Sequence, residues 1–171
     1  MLASAVRGEG KTVSTINLGL ALAEIPGTGI LLVDADLHRP MLESYLGLPR
    51  RQGLVEVISG TCPLDRAIRA TSVDGVSVLG PGVLPRNPSE LLASERVKLV
   101  IGALKQRFKY ILIDTPEAGA ISDASMLGAM ADGIVLVVRL GSTPRNLVEE
   151  THNRLEALGG NVLGTLLTQA E

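Results

Sequence analysis

The chain has 171 residues, of which 46% are hydrophobic and only 2% aromatic. This length suits one domain with its own core, and a core built from Val, Ile, Leu and Ala is typical of parallel α/β sheets. The formal net charge of −2, from 16 basic and 18 acidic residues, argues against general nucleic-acid binding, so we expect no nucleic-acid partner.

Cysteine usage and hydropathy indicate the compartment. The single cysteine, Cys62, leaves no intramolecular disulfide and no cysteine-based metal site, so we expect a reducing environment and a packing or loop role for Cys62. The apolar runs are far shorter than a membrane span, and no secretion leader precedes the first motif. These features predict a cytoplasmic protein.

The first predicted strand, over residues 1–6, leads into a glycine-rich loop and a helix over 11–24. The loop, AVRGEGKT, approaches the phosphate-binding pattern GxxxxGKS/T, with Ala5 where the first glycine belongs. In such loops backbone N–H groups surround phosphate oxygens, while Lys11 reaches the β- and γ-phosphates and Thr12 holds Mg²⁺. The predicted nucleotide-binding residues are Arg7, Gly8, Glu9, Gly10, Lys11, Thr12 and Val13.

Strands and helices alternate along the rest of the chain. Strands are predicted over 30–33, 76–79, 110–114, 133–139 and 161–168. Helices are predicted from Pro40 to Gly47 and over 53–60, 94–108, 122–130 and 143–158, the last with Thr143 as N-cap and Pro144 as its first residue. Residues 81–90 contain three prolines and are predicted as a loop. This alternation predicts an α/β fold of the P-loop NTPase type, a three-layer sandwich in which a mainly parallel sheet carries helices on both faces.

Carboxylates follow two of the predicted strands. Asp34 and Asp36 come after ILLV, and Asp114 ends YILID. Because ligands bind at the carboxyl ends of parallel strands, we expect these groups to meet the glycine-rich loop at one edge. Asp34 and Asp36 share a face if the strand continues, one to assist a metal ion and the other to accept the proton of an attacking hydroxyl or water. The predicted metal-binding residues are Thr12, Asp34, Asp36 and Asp114, and the predicted catalytic residues are Lys11, Asp34, Asp36 and Asp114.

Seven ordered blocks resemble a known family. They are AVRGEGKT, LLVDADLHRP, GLVEVISG, NPSELLAS, YILIDTP, SDASML and DGIVLVVR, and they resemble bacterial tyrosine kinases of capsule and exopolysaccharide synthesis, which share a fold with deviant-Walker partition ATPases. The resemblance implies an ATP- and Mg²⁺-dependent enzyme that transfers the γ-phosphate to tyrosine. It places Lys11 and Thr12 in the first Walker motif, Asp34 and Asp36 in the second and Asp114 in the third.

The resemblance also implies a cellular context. Kinases of this type control polysaccharide chain length together with a membrane-embedded activator protein, so we expect that partner, homo-oligomers and a peripheral position at the inner face of the plasma membrane. Residues 1–171 are expected to form a single kinase-like domain without the family's N-terminal helix and strand or its tyrosine-rich C-terminal tail.

Two alternatives stay open: a partition-type ATPase, and a regulator that binds nucleotide without turnover. Partition ATPases carry a signature lysine five residues before the phosphate lysine, where this chain has Val6, which favours the kinase. Three positions depart from the kinase pattern: Arg7 replaces proline, His38 replaces arginine and Glu117 replaces a second proline. His38 is either part of the site or a surface loop residue, and Glu117 adds negative charge near the predicted metal site.

Two tyrosines are the acceptor candidates within the chain. Tyr110 begins a predicted buried strand, whereas Tyr45 follows the second motif and is accessible enough to be considered, although packing is its main expected role. Thr168 and Gln169 occupy the region where related folds present asparagine to adenine, so the sequence does not predict selectivity for the base.

Overall fold

A computed structural model describes residues 1–118 and 122–169 and contains seven strands and eight helices in these ranges. The strands are β1 (Leu2–Ser4), β2 (Ile30–Asp34), β3 (Ile68–Ala70), β4 (Val76–Leu79), β5 (Tyr110–Asp114), β6 (Ile134–Arg139) and β7 (Val162–Thr168). The helices are α1 (Lys11–Ala23), α2 (Leu42–Tyr45), α3 (Leu54–Ser59), α4 (Leu64–Ala67), α5 (Pro88–Leu92), α6 (Glu95–Lys105), α7 (Ser122–Gly128) and α8 (Arg145–Ala157).

The strands form one sheet in the order β3-β4-β2-β5-β1-β6-β7. All neighbouring strands are parallel except β3, which pairs antiparallel with β4 at one edge. In the register between β2 and β5, Asp34 lies directly opposite Asp114. The parallel arrangement therefore brings the ends of the two predicted acidic strands side by side.

A separate apolar core lies on each face of the sheet. Because successive strand residues point to opposite faces, Leu31 and Val33 of β2 join the larger core, while Ile30 and Leu32 join the smaller one. Helices α3, α6, α7 and α8 contribute to the larger core, which also buries Cys62, whereas α1 and α2 contribute to the smaller one. This confirms the predicted three layers.

Within the described ranges, no helix has both the length and the apolar character that a membrane crossing requires.

The structure corrects four local predictions. Residues 81–90 are not entirely loop, because Pro88 opens α5 at a position where its fixed φ suits a first helical turn. Pro40 does not open a helix; α2 begins at Leu42, whose N–H is bound by the Asp34 side chain. Both α4 and β3 were missed, since each is too short to show an apolar period.

The fourth correction concerns the start of α8. Pro144, rather than Thr143, is the N-cap, and the helix proper begins at Arg145. The Thr143 hydroxyl is used elsewhere: it donates to the Glu9 carboxylate in the glycine-rich loop. A long-range contact therefore takes the place of the predicted cap.

Candidate functional site

The carboxyl ends of β2, β5 and β1 are neighbours in the sheet, and a cleft of about 340 Å³ opens beside them. We call this the phosphate cleft. The glycine-rich loop contributes Arg7, Gly8, Gly10, Lys11, Thr12 and Val13 to its lining. The segments after β2 and β5 contribute Asp36, His38, Arg39, Met41, Tyr45 and Glu117. Residues from all three predicted motifs thus meet at the edge where parallel sheets bind ligands.

The loop has the backbone shape that phosphate binding needs. Gly8 and Gly10 have φ values of +82° and +92°, in the region that L side chains rarely adopt. Helix α1 follows at once, and no side chain of the described residues caps its first N–H groups. Gly19 lets α1 approach the sheet closely, since a Cβ there would lie 2.6 Å from Leu32 Cδ2. The uncapped helix start is therefore held against the cleft, where it favours an anion.

Lys11 supplies a cation at the base of this loop. Its side chain is 8% exposed, and its Nζ donates to the Ser4 hydroxyl at 2.8 Å. Ser4 in turn donates to the Val6 carbonyl at 2.7 Å. The ammonium is thus held beside the end of β1, while Lys11 also lines the phosphate cleft.

Thr12 and Asp114 join the first and third motifs directly. The Thr12 hydroxyl donates to Asp114 Oδ2 at 2.6 Å. Burial raises the pKa of Asp114 to about 6, although the hydrogen bond from Thr12 and the charge of Lys11 oppose that shift. Oδ1 of Asp114 is buried and has no hydrogen-bond partner among the described residues, so one carboxylate oxygen is left unpaired.

These oxygen atoms suit Mg²⁺ better than a softer metal. Mg²⁺ prefers hard oxygen ligands and usually binds through one or two carboxylates together with substrate phosphates and water. Thr12, Asp114 and Asp36 provide such oxygens at or beside the phosphate cleft. The described residues contain no cluster of three or more His, Cys, Asp or Glu side chains able to hold a metal ion alone.

Asp34 and Asp36 do not occupy equivalent positions, because β2 ends at Asp34. Asp36 lines the phosphate cleft, and its Oδ1 accepts the N–H groups of His38 and Arg39 at 3.2 and 2.9 Å. Burial raises its pKa, against opposing effects of the His38 N–H and the Lys11 charge. Asp34 is fully buried and lines a neighbouring cleft of about 250 Å³. Its predicted roles in metal binding and catalysis stay predictions.

Helix α2 is fixed to the sheet beside this site. Asp34 Oδ2 accepts the N–H of Leu42 at 3.0 Å. Glu43, on the same helix, is buried and pairs with Arg69 of β3. Its side chain also fills the space beside Gly80, where a Cβ would collide with the carboxylate. These contacts therefore fix the position of α2, which carries Tyr45 in the wall of the phosphate cleft.

The buried Asp34 carboxyl makes the stability of the nucleotide-free protein depend on pH. Burial raises its pKa to about 8, so between about pH 4 and 8 the folded protein holds a proton that the unfolded chain has released. Stability is therefore expected to fall as the pH rises, by at most about 1.4 kcal/mol per pH unit from this group. Asp34→Asn keeps an acceptor for Leu42, and thermal melts from pH 6 to 8 should show a shallower decline for it. Asp74→Asn, at an exposed position, is the matched control, and a wild-type slope in Asp34→Asn would contradict the assignment.

The ring of His38 is part of the site rather than a free surface group. Its Nε2 lies 3.0 Å from Oδ2 of Asp123, which is fully buried on α7. Glu117 also lines the phosphate cleft, and its charge helps to raise the pKa of Asp36. The sequence analysis gave Asp123 no role in the site. Its partner is 85 positions away, and no local pattern signals that pairing.

The two tyrosines lie at opposite ends of the sheet. Tyr45 is 58% exposed and lines the phosphate cleft. Tyr110 begins β5, at the end of that strand away from Asp114, and is partly buried against the smaller core. Only Tyr45 is thus close to the loop.

A second cleft, of about 610 Å³, lies on the other side of the glycine-rich loop. Gly8, Gly10 and Val13 line both clefts, and Thr168 and Gln169 line the second. A nucleotide whose phosphates lie on the loop therefore has room for its nucleoside beside β7, the region that sequence reasoning associated with the base.

Comparison with curated proteins finds bacterial tyrosine-protein kinases, although no family model matches the chain. The chain is 34% identical over 169 residues to the tyrosine-protein kinase CpsD of Streptococcus agalactiae, covering 98% of this chain and 73% of that protein. It is also 34% identical over 162 residues to the tyrosine-protein kinase ptk of Acinetobacter johnsonii, covering 95% of this chain but only 22% of that much longer protein.

Solved structures agree with this result. The kinase domain of VpsO superposes with a TM-score of 0.95 at 33% identity, over 100% of this chain and 84% of that one. The septum site-determining protein MinD of Pyrococcus horikoshii, solved with Mg-ADP, superposes with a TM-score of 0.83 at 28% identity, over 99% of this chain and 70% of that one. These likenesses confirm the predicted P-loop NTPase-type fold.

Proposed function

The chain belongs to the family of bacterial tyrosine-protein kinases, and on this basis we propose that it binds ATP with Mg²⁺ and transfers the γ-phosphate to tyrosine. The observation that carries the proposal is the contact between Thr12 and Asp114 beside Lys11, in a cleft that Asp36 and Tyr45 also line. The groups proposed to bind phosphate, to bind the metal ion, to act as base and to accept the phosphate thus lie in or beside the phosphate cleft.

Each group has a task in such a transfer. The loop N–H groups and Lys11 bind the phosphates and offset their charge. Thr12 and Asp114 would hold Mg²⁺, which when bound offsets the charge on the β- and γ-phosphates. The loop and α1 position these groups relative to one another.

The transfer itself needs a base for the acceptor hydroxyl. The tyrosine oxygen forms a bond to the γ-phosphorus as the bond from that phosphorus to the β–γ bridging oxygen breaks, and ADP leaves. The phenolic proton passes to a carboxylate, for which Asp36 is better suited than Asp34. Asp34 has a pKa of about 8 and carries its own proton at neutral pH, whereas Asp36 lines the cleft.

The wider context is part of the same proposal. We infer a role in exopolysaccharide or capsule synthesis, with a membrane-embedded activator protein as partner, self-association, and a position at the cytoplasmic face of the membrane. Support comes from the family membership, since the relatives CpsD and ptk are tyrosine-protein kinases.

The proposed activity is tested with the whole chain, γ-labelled ATP, Mg²⁺ and a glutamate–tyrosine copolymer as acceptor. Label on the copolymer is the expected result. Release of inorganic phosphate without label on tyrosine would instead favour a partition-type ATPase, to which the likeness to MinD points. Binding of ATP with neither product would favour a non-catalytic regulator.

The same reaction identifies the acceptor within the chain. Tyr45 lies in the phosphate cleft, so we expect label there, and Tyr45→Phe should reduce self-phosphorylation at least about tenfold while transfer to the copolymer continues. Tyr110→Phe is the matched control, because Tyr110 lies at the opposite end of β5. Peptide mapping by mass spectrometry reads the position, and label on Tyr110 would contradict this assignment.

A further inference from the structure

The side chain of Glu9 is buried although the residue lies in the middle of the glycine-rich loop. It is 1% exposed, and its Oε2 accepts the N–H of Val6 at 2.8 Å, which closes the loop on itself. Its Oε1 accepts the Thr143 hydroxyl at 2.5 Å and the N–H of Arg139 at 3.2 Å. One carboxylate therefore connects the loop to the segment between β6 and α8.

Three donors converge on this carboxylate, and this sets its chemistry. An ionised carboxylate only accepts hydrogen bonds, and hydrogen bonds to a charged acceptor are stronger than neutral ones. Glutamine at position 9 would turn its NH₂ group toward the N–H of Val6 or toward the N–H of Arg139, placing donor against donor. The arrangement therefore requires glutamate at position 9.

Thr143 supplies the only one of these three donors that belongs to a side chain. The donors from Val6 and Arg139 are backbone N–H groups. Thr143 is partly exposed and lines neither the phosphate cleft nor the second cleft. Its substitution can thus remove one support of the loop without altering any group that faces the nucleotide.

We propose that Thr143 is a positioning residue for nucleotide binding, acting through Glu9 to hold the glycine-rich loop in its binding conformation. The inference rests on the proposed nucleotide-binding function. The Thr168 hydroxyl, at the end of β7, donates to the Glu9 carbonyl at 2.8 Å and holds the main chain of the same residue. Glu9 is thus fixed from the β6 and β7 side of the sheet through both its side chain and its backbone. Of these contacts, the one from Thr143 comes from a residue that lines neither cleft.

The test is calorimetric titration of the whole chain with adenylyl imidodiphosphate and Mg²⁺, a pair that binds without being consumed. Thr143→Val should weaken binding about tenfold, since a hydrogen bond to a charged acceptor is lost from the support of the loop. Thr143→Ser keeps the hydroxyl and should bind within about twofold of wild type. Thr151→Val is the matched control, because Thr151 of α8 is buried and its hydroxyl also donates a hydrogen bond, but to the Leu147 carbonyl of its own helix.

A second variant separates positioning from general stability. Glu9→Gln should weaken binding at least as much as Thr143→Val. The double variant should bind the analogue no more weakly than whichever single variant binds it less tightly, because both changes break the same connection between Glu9 and Thr143. In the transfer assay, Thr143→Val should raise KM for ATP and leave kcat nearly unchanged. Thermal melts report whether each variant folds. If Thr143→Val does not fold, the affinity of Glu9→Gln for the analogue tests the proposal.

The outcomes are distinct. If Thr143→Val melts at a lower temperature yet binds the analogue as tightly as wild type, the positioning role is overturned and the proposed function stays intact. Additive losses in the double variant would also overturn it. Failure of the wild-type chain to bind the analogue would overturn both proposals together.

Discussion

Lys11→Met is expected to lower phosphate transfer by roughly 10²–10³-fold, the loss typical of removing one preorganised charge-stabilising donor from an active site. Lys11 is the one lysine that lines the phosphate cleft, as far as the structure describes the chain. Methionine keeps the length and the apolar stem of this side chain, so the main change is loss of the ammonium. The measurements are the initial rate of label transfer and the affinity for Mg²⁺ and adenylyl imidodiphosphate.

The control for this variant is Lys98→Met. Lys98 lies on α6 in an exposed pair with Glu95, so its charge contributes little to stability or to the cleft. Thermal melts should show that Lys11→Met stays folded, because Ser4 keeps its hydrogen bond to the Val6 carbonyl. If Lys11→Met retained transfer within about threefold of wild type, the assignment of the phosphate cleft would be wrong.

Arg69→Met is expected to cost the largest amount of stability, about 3 kcal/mol or more, because it leaves the buried Glu43 carboxylate without its main counter-charge. Burial raises the pKa of Glu43, while Arg69 and the more distant Arg50 oppose that shift. Arg69 also donates to the Pro49 carbonyl at 2.9 Å, which a methionine cannot replace. For a chain of this length the melting temperature should fall by about 6 °C or more.

A surface pair gives the comparison. Arg107 pairs with Asp65 where the two side chains are 41% and 77% exposed, and Arg107→Met should cost less than about 1 kcal/mol. The double variant Glu43→Gln, Arg69→Met removes both charges and should recover part of the loss. Equal effects of Arg69→Met and Arg107→Met in chemical denaturation would contradict the buried pair.

The strands that carry the site could be predicted because burial on both faces leaves a plain signal. The stretches that became β2 and β5 are continuous apolar runs that end in Asp34 and Asp114, and parallel pairing then places these two side by side. The loop before α1 could also be predicted, since Gly8 and Gly10 occupy the positions where the backbone adopts positive φ.

The remaining features depend on contacts between distant residues. The pairing of His38 with Asp123 and the burial of Glu9 against Thr143 leave no local pattern, because each partner alone resembles a polar loop or cap residue. Asp34 and Asp36 were expected to share one face if the strand continued, but β2 ends at Asp34, and their environments differ accordingly. Strand β3 is short and partly exposed, and its pairing with β4 defines it more than its own sequence does.

The close approach of Glu43 to Gly80 limits how far this fold can vary. Gly80 follows β4, lines neither the phosphate cleft nor the second cleft, and in sequence looks like an ordinary turn glycine that tolerates exchange. Yet the carboxylate of Glu43 occupies the space that any side chain at position 80 would need. A Cβ at position 80 would therefore displace the Glu43 carboxylate from its pairing with Arg69. Mutational tolerance at position 80 is thus limited by the buried pair of Glu43 and Arg69, although Gly80 itself lines neither cleft.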